Sequence, residues 1–357
     1  MAGHNFKLTI MGATMSDRFK IEGRFRRLAA AMTVLGTLAT YSGYVAAEDL
    51  PGKGATVRPL YLGQAEELFE AYVVKIGLED LGYTVDEPSA TQVPLAHIAV
   101  GNGDADYYTP HWYPLHIAFA EKAGGDAKLR RVGTLVKNSI QGYSIDKATA
   151  GKYGIKTIEQ LKDPKLAALF DIDGDGKADL YGCDPGWGCE RIIEHNLDAY
   201  GLRDTITHKQ GEYFALLPDV IQRIQSGKPT LYYSWTPNWL QGVLVHGKDV
   251  VWLAVPFTAL PDEQAGAETT VPGIGNLGFS VNTQHVIANT AFLEKNPVAN
   301  KWFEQVEVPI QDINDENLLI HKGEKSNEDI HGHAEAWKKA HLDQWNKWIA
   351  VAKQAAK

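Results

Sequence analysis

The chain has 357 residues, a formal net charge of −9, and hydrophobic and charged fractions of 44% and 22%. The acidic balance argues against a nucleic-acid partner, and the two fractions are ordinary for a globular protein. The length exceeds what one hydrophobic core usually serves, so we expect two lobes.

The N-terminal residues predict export. Basic residues from Lys20 to Arg27 precede an apolar run that begins at Leu28 and ends in the small residues Val45-Ala46-Ala47. This pattern is typical of a secretory signal cleaved after about Ala47, so residues 1–47 are read as a signal peptide with an N-terminal extension. A retained membrane helix is the alternative, but Thr, Ser and Gly interrupt the run. No cysteine lies near the cleavage site, which favours a freely diffusing protein of a Gram-negative periplasm.

Strand and helix patterns then alternate along the chain. In order, they predict a strand at 56–62, a helix ended by Gly82, a strand at 83–85, a helix near 95–100 and a strand at 105–109. The same order recurs with a strand near 142–145, a helix capped by Thr157, a helix near 214–224, and strands at 231–233 and 250–255. Segments 278–281 and 285–288 suggest a return to the first unit before a helical end. Such alternation predicts an α/β protein with a doubly wound, mostly parallel sheet in each lobe.

The lobes follow from this order. We expect residues 48–139 to form the first part of lobe 1, residues 140–275 to form lobe 2, and residues 276–357 to return to lobe 1 and add the C-terminal helices. No linker rich in Pro, Gly or Ser separates these units, which predicts short, strand-like crossovers between them.

Two distant segments share a pattern of strand, tryptophan and proline. They are YYTPHWYP at 107–114 and YYSWTP at 232–237. In an open α/β sheet the ligand crevice lies outside the C-terminal ends of the strands, which is where Trp112 and Trp235 would emerge. The alternative is that both tryptophans are ordinary core residues.

A third tryptophan lies in CDPGWGC, between Cys183 and Cys189. In an oxidising compartment these cysteines are expected to form a disulfide, although a free or metal-binding pair is the alternative. So short a loop removes only about 2 kcal/mol of chain entropy, so local rigidity is the better reason for the bridge. The bridge would fix the direction of Trp187, and Gly188 and Cys189 could present backbone N–H groups to an anion.

The stretches CDPGWGCE, WYPLH and YYSWTP resemble the periplasmic glycine betaine-binding subunits, the ProX type, of proline/glycine betaine ABC transporters. The likeness runs from DLPGKG at Asp49 through GKADLYGCDPGWGCE and KDVVWLAVPF to the helical end. The resemblance implies a two-lobed periplasmic binding protein of type II with a hinge. It also implies that Trp112, Trp187 and Trp235 box a trimethylammonium group.

The same resemblance implies that His116 and the backbone N–H groups near Gly188 and Cys189 receive the carboxylate of the ligand. Tyr113 stands where the family has a smaller residue, which bears on the breadth of ligands. The residues alone favour such a box, because a quaternary ammonium has no N–H donors and indole faces attract it.

We therefore predict the solute-binding subunit of an ABC importer that captures glycine betaine and proline betaine for osmoprotection. It would act as a monomer without a cofactor and deliver its ligand to an inner-membrane permease with its ATPase. A binding protein for choline or carnitine is the main alternative, and a calcium-dependent periplasmic enzyme is another. The sequence has no GxSxG, GxxxxGK[ST] or HExxH motif, so we expect no enzymatic activity.

An acidic loop suggests calcium. Asp171, Asp173, Asp175 and Asp179 occupy positions one, three, five and nine of a calcium loop, but Gly182 stands at position twelve, where a bidentate Glu belongs. A turn built from aspartate side-chain hydrogen bonds is the alternative.

Overall fold

The computed structural model describes residues 50–356. The predicted signal peptide and N-terminal extension at 1–47 lie outside these residues, so they stay predictions. Within the described part of the chain, every helix is too short or too polar to span a membrane.

Strands and helices alternate through most of the described chain. The strands are β1 (Thr56–Val57), β2 (Pro59–Tyr61), β3 (Thr84–Val85), β4 (Ser89–Ala90), β5 (Tyr107–Tyr113), β6 (Leu129–Asp146), β7 (Ala178–Tyr181), β8 (Ile206–Lys209), β9 (Leu231–Thr236), β10 (Val250–Leu253), β11 (Thr270–Val271), β12 (Gly275–Asn276) and β13 (Asn282–Asn289). The helices are α1 (Ala65–Asp80), α2 (Val93–Asn102), α3 (Ile117–Lys122), α4 (Lys147–Tyr153), α5 (Pro164–Ala167), α6 (Gly188–Ala199), α7 (Tyr213–Gln225), α8 (Leu240–Val243), α9 (Thr290–Lys295), α10 (Pro297–Gln305), α11 (Ile310–Lys322), α12 (Asn327–Ala340) and α13 (Leu342–Lys353).

Nine strands join in one mixed sheet. Its order is β4-β2-β5-β13-β6-β9-β7-β8, and β10 also pairs with β6. The outer pairings are parallel, between β2 and both β4 and β5 on one side and between β7 and both β8 and β9 on the other. The central pairings of β13 and β6 with their neighbours are antiparallel. The predicted α/β class is confirmed. The centre of the sheet is antiparallel because β13 and β6 lie between the two parallel parts and join them.

Strand β6 connects the two parts of the sheet. Its residues up to Ser139 pair with β13, whereas those from Ile140 onward pair with β9. The sequence pattern predicted a strand only at 142–145, because the first half of β6 carries exposed polar residues such as Arg130 and Lys137. Antiparallel pairing with β13 holds that half extended without a continuous apolar run. The lobe boundaries at 139/140 and 275/276 stay predictions.

Hydrophobic cores lie on either side of this connection. One is built largely from residues 143–279 and includes Ile145, Ile192 and Leu231. The other joins α1 to β13 and to the C-terminal helices, where Trp302 is fully buried. A side chain at Gly77 would overlap the Trp302 ring, so this glycine permits α10 to pack directly against α1.

Candidate ligand-binding site

The six residues predicted to bind the ligand all line a single cavity of about 60 Å³. They are Trp112, His116, Trp187, Gly188, Cys189 and Trp235. A cavity volume of about 10–15 Å³ is enough for one water-sized group, so this cavity has room for several such groups. Their roles as ligand-binding residues stay predictions, but the fold brings them together from three separate segments, 112–116, 187–189 and the end of the strand that carries Trp235.

Two tryptophans are positioned by strand ends. Trp112 and Trp235 are the next-to-last residues of β5 and β9, and not loop residues beyond the strands as the sequence suggested. Pro114 and Pro237, which follow them by two residues, each come after a cis peptide bond. Trp112 is buried and Trp235 is half-buried. Both rings therefore reach the cavity from the sheet, whose backbone hydrogen bonds fix their Cα positions.

The third tryptophan is held by the disulfide loop. Cys183 and Cys189 are bridged, which confirms the predicted disulfide, and Trp187 is the residue that precedes α6. The loop is further tied by hydrogen bonds from the Cys183 N–H to His208 Nε2 (3.2 Å) and from the Gly186 N–H to Glu190 Oε2 (2.7 Å). The bridge, these bonds and the start of α6 together restrict the position of the indole.

The cavity has an electropositive end made of hydrogen-bond donors. Gly188 and Cys189 are the first two residues of the 12-residue helix α6, so their N–H groups have no partner within the helix and lie at the positive end of its dipole. His116 Nδ1 accepts a hydrogen bond from the Trp112 N–H (3.2 Å), which leaves Nε2 as the protonated nitrogen of a neutral imidazole. Burial lowers the pKa of His116 well below its usual value, so the ring stays neutral. Such donors suit a carboxylate.

Gly188 also allows the two sides of the cavity to approach each other. A Cβ atom at this position would lie 2.7 Å from Leu115 Cγ and 3.0 Å from the Leu115 carbonyl oxygen. The Leu115 N–H donates to Asn282 Oδ1 (3.1 Å), so the Leu115 backbone is itself anchored. A larger residue at 188 would therefore push the helix terminus away from the segment that carries His116.

Sequence reasoning missed the acidic residues of this cavity. Glu66, Glu67 and Glu70, from the first turns of α1, are among its lining residues. Removal from water raises the pKa of Glu66 to about 7 and that of Glu67 to about 8, and proximity to Glu66 adds to the rise at Glu67. The sequence did contain a signal for Glu70, because this acid interrupts the mostly apolar run from Leu68 to Leu78. The structure buries the whole run, and a buried acid without a partner is unusual.

Three buried histidines surround one wall of the site. His97 Nδ1 donates to the Val93 carbonyl oxygen (2.7 Å), and His111 Nδ1 donates to His97 Nε2 (2.9 Å). One nitrogen from each of His97, His111 and His116 lies within 4.8 Å of the other two. Burial lowers the pKa of His97 to about 4 and that of His111 well below its usual value. These hydrogen bonds orient the rings of His97 and His111. The two neutral rings pack against His116.

The acidic loop forms the aspartate turn that the sequence offered as the alternative to calcium. Asp171 accepts hydrogen bonds from the N–H groups of Gly174 (2.7 Å) and Gly176 (2.9 Å). Carboxylate oxygens of Asp171, Asp173 and Asp179 lie within 4.8 Å of one another, and Asp175 is outside this group. The Lys209 ammonium already pairs with Asp173 (2.5 Å) and Asp179 (2.9 Å). Calcium binding here stays a prediction that requires Lys209 to move.

Tyr113 does not line the tryptophan cavity. The Cζ atom of Arg131 lies 3.3 Å from the centroid of the Tyr113 ring, so the guanidinium covers the ring. Tyr113 lines a different cavity together with Arg130 and Arg131. The effect of Tyr113 on ligand breadth, expected from the sequence, would therefore have to act indirectly.

Comparison with known proteins places the chain in a family. Residues 55–340 match the family described as the substrate binding domain of ABC-type glycine betaine transport system. The chain is 48% identical to the glycine betaine-binding periplasmic protein OusX of Dickeya dadantii, over 93% of this chain and all of that protein. It is also 48% identical to the glycine betaine/proline betaine-binding periplasmic protein of Escherichia coli, over 91% of this chain and 98% of that protein.

The fold is similar to that of lactococcal OpuAC in its closed, glycine betaine-bound form. The TM-score is 0.62 at 21% identity, over 83% of this chain and 99% of that one. This likeness confirms the predicted fold class, a two-lobed periplasmic binding protein of type II. With the family match and the two relatives, it shows that the chain belongs to the family of substrate-binding domains of ABC-type glycine betaine transport systems.

Proposed function

We propose that this protein is the periplasmic solute-binding subunit of an ABC importer and that it captures glycine betaine and proline betaine. The observation that carries the proposal is the shared cavity, in which three tryptophans accompany His116 and the N-terminus of α6. Both relatives are named for glycine betaine, which supports the first ligand, and the name of the Escherichia coli protein also includes proline betaine, which supports the second. The protein would deliver its ligand to an inner-membrane permease and its ATPase and perform no chemistry itself.

The cavity offers a separate environment for each end of a betaine. Indole faces attract the trimethylammonium group and pack its methyls, with about 2 kcal/mol for each desolvated ring. Charge-assisted hydrogen bonds from His116 and the α6 terminus add to this, so the roughly 8 kcal/mol of a micromolar site is within reach. Glycine would bind far more weakly because it has no methyl groups to pack against the indole faces, which supply most of the attraction for a trimethylammonium group.

Closure of two lobes would assemble the box. Trp112 belongs to β5, which pairs with β13, whereas Trp235 belongs to β9, which pairs with β6 from Ile140 onward, and Trp187 precedes α6 on that same side. We infer that β6, which runs through both parts, bends in a hinge motion. This motion would bring Trp112 against Trp187 and Trp235. The protein would act as a monomer in the periplasm after cleavage near Ala47.

The test uses the mature chain, residues 48–357, as a monomer in solution. Tryptophan fluorescence is titrated with glycine betaine, glycine and choline, and calorimetry measures the heat of each titration. We expect a saturable change at micromolar betaine and none with glycine. Absence of both signal and heat with betaine would overturn the proposal, whereas tighter binding of choline would favour the alternative ligand class. N-terminal sequencing of the periplasmic fraction checks the cleavage site.

A further inference from the structure

The glutamates of α1 form a distinct region of the cavity. Glu66 and Glu67 lie one helical turn before Glu70, so the three side chains occupy neighbouring positions on one surface of the helix. Glu70 is 1% exposed, and the Oε2 atoms of Glu67 and Glu70 are buried without a hydrogen-bond partner. The described residues that line the cavity include no lysine or arginine. These carboxyl groups therefore face the cavity without a protein cation.

Neutral side chains from other elements point to a ligand independently. Gln141 on β6 and Gln284 on β13 are 1% and 0% exposed and line the same cavity. The Gln141 Oε1 atom accepts from the Tyr233 hydroxyl (2.6 Å), and Gln284 Nε2 donates to Ser139 Oγ (3.1 Å). These bonds orient each amide, and the opposite atoms, Gln141 Nε2 and Gln284 Oε1, have no protein partner. Buried polar atoms are costly when unpaired, so such a set is expected where a polar ligand binds.

We propose that Glu67 and Glu70 form an anionic wall of the cavity that recognises the positive charge of the ligand, beyond the attraction of the tryptophan faces. This inference rests on the proposed function for the quaternary ammonium group. The cavity is then dipolar. His116 and the α6 terminus supply the positive end for a carboxylate, and the first turns of α1 supply the negative side for the cation. The ligand class is compounds with a permanent cation, and their uncharged isosteres are excluded.

Protonation of the wall would change when the ligand binds. Without a cation, burial keeps the pKa of Glu67 near 8 and the pKa of Glu70 well above its usual value, so both carboxyl groups hold protons at neutral pH. A neighbouring positive charge favours the ionised form, so a carboxyl group loses its proton to the buffer as the ligand enters. The other titratable groups close to the wall are Glu66, Tyr61, Tyr108, Tyr213 and His116. None of these is a cation at neutral pH.

The experiment compares glycine betaine with 3,3-dimethylbutanoate, in which a carbon replaces the quaternary nitrogen. Dissociation constants are measured for wild type, Glu67→Gln, Glu70→Gln, the double variant and the control Glu79→Gln. Glu79 lies at the other end of α1 and pairs with Lys75. We expect the preference for betaine over the isostere to fall about tenfold in the double variant, since only the tryptophans would then discriminate, and to be unchanged in the control.

Calorimetry at pH 7 in two buffers with different ionisation enthalpies gives a second measurement that needs no variant. We expect net proton release when the wild type binds betaine, and none in the double variant. An unchanged preference in variants that still bind betaine, together with no proton release in the wild type, would overturn the anionic wall and leave the proposed function standing. Failure of the wild type to bind betaine at all would overturn the proposed function and this inference with it.

Discussion

The rings of Trp187 and Trp235 meet edge to face, with centroids 5.9 Å apart and planes at 76°. The first ring comes from the disulfide loop and the second from the end of β9. Two indoles at this angle form a corner, so a cation placed in it would contact a ring face on one side without the two rings stacking on each other. The tilted contact of Trp235 with Tyr213, at 4.5 Å between centroids, supports the back of this corner.

Trp187→Ala should weaken glycine betaine binding about tenfold or more, because it removes one aromatic face of the box. The fold should persist, since the disulfide and helix α6, which hold the loop in place, remain. Calorimetry gives the affinity and circular dichroism the folded state. Trp348→Ala, which removes a tryptophan packed outside the cavity, serves as the control. Equal affinity in the Trp187 variant and wild type would contradict the box.

His116→Ala should weaken betaine binding about tenfold and leave choline binding unchanged, because choline has no carboxylate to accept the hydrogen bond. His195→Ala on the exposed face of α6 is the matched control. Titration of each variant with both ligands separates the carboxylate contact from general damage to the cavity. Equal losses for the two ligands would indicate that His116 contributes only to the packing of the cavity and does not contact the carboxylate.

Replacing both cysteines, Cys183→Ser with Cys189→Ser, should lower the free energy of unfolding by about 2 kcal/mol. We expect betaine affinity to fall as well, because the start of α6 and the Trp187 ring lose their covalent restraint. Urea denaturation and calorimetry give the two quantities. Full affinity in a destabilised variant would mean that the His208 and Glu190 hydrogen bonds suffice to position the loop.

The histidine cluster should make the protein sensitive to acid. The pKa of His97 is about 4 in the fold and that of His111 is well below its usual value, whereas both titrate near 6.5 in the unfolded chain. The unfolded chain therefore binds more protons below pH 6.5, so stability is full above that pH and falls as the pH drops toward 4. Each histidine contributes a slope of up to about 1.4 kcal/mol per pH unit.

His111→Asn tests this assignment. Unfolding free energies at pH 7.5, 6.0 and 5.0 should show the variant gaining on the wild type as the pH falls, because one source of proton uptake by the unfolded chain is gone. A constant difference between the two proteins across this range would contradict the neutral state of His111.

Lys209→Ala should increase affinity for calcium. The ammonium of Lys209 neutralises Asp173 and Asp179, and its removal leaves a group of three carboxylates that a divalent cation can bridge. We expect calcium to raise the melting temperature of the variant more than that of the wild type. An identical response in the two proteins would argue that the loop is a purely structural turn.

Local patterns were enough to predict the tryptophans and the loop that holds one of them. A disulfide between cysteines six residues apart and strands that lead into a tryptophan and a proline both depend on short-range geometry. The apolar periodicity of α1 likewise predicted a helix that ends near Gly82, and the structure has it from Ala65 to Asp80. Antiparallel pairing of β6 was missed because it depends on a partner far along the chain.

Local patterns could not predict which residues line the cavity. Glu70 and Gln284 lie 214 positions apart and line one cavity only because α1 and β13 pack in the same part of the fold. Tyr113 follows Trp112 directly, yet it lines a different cavity, since successive residues of a strand project to opposite faces. The residue types that suit a quaternary ammonium were visible in the sequence. Their charged surroundings depend on long-range packing, which sets both the distance between groups and the burial that shifts their pKa values.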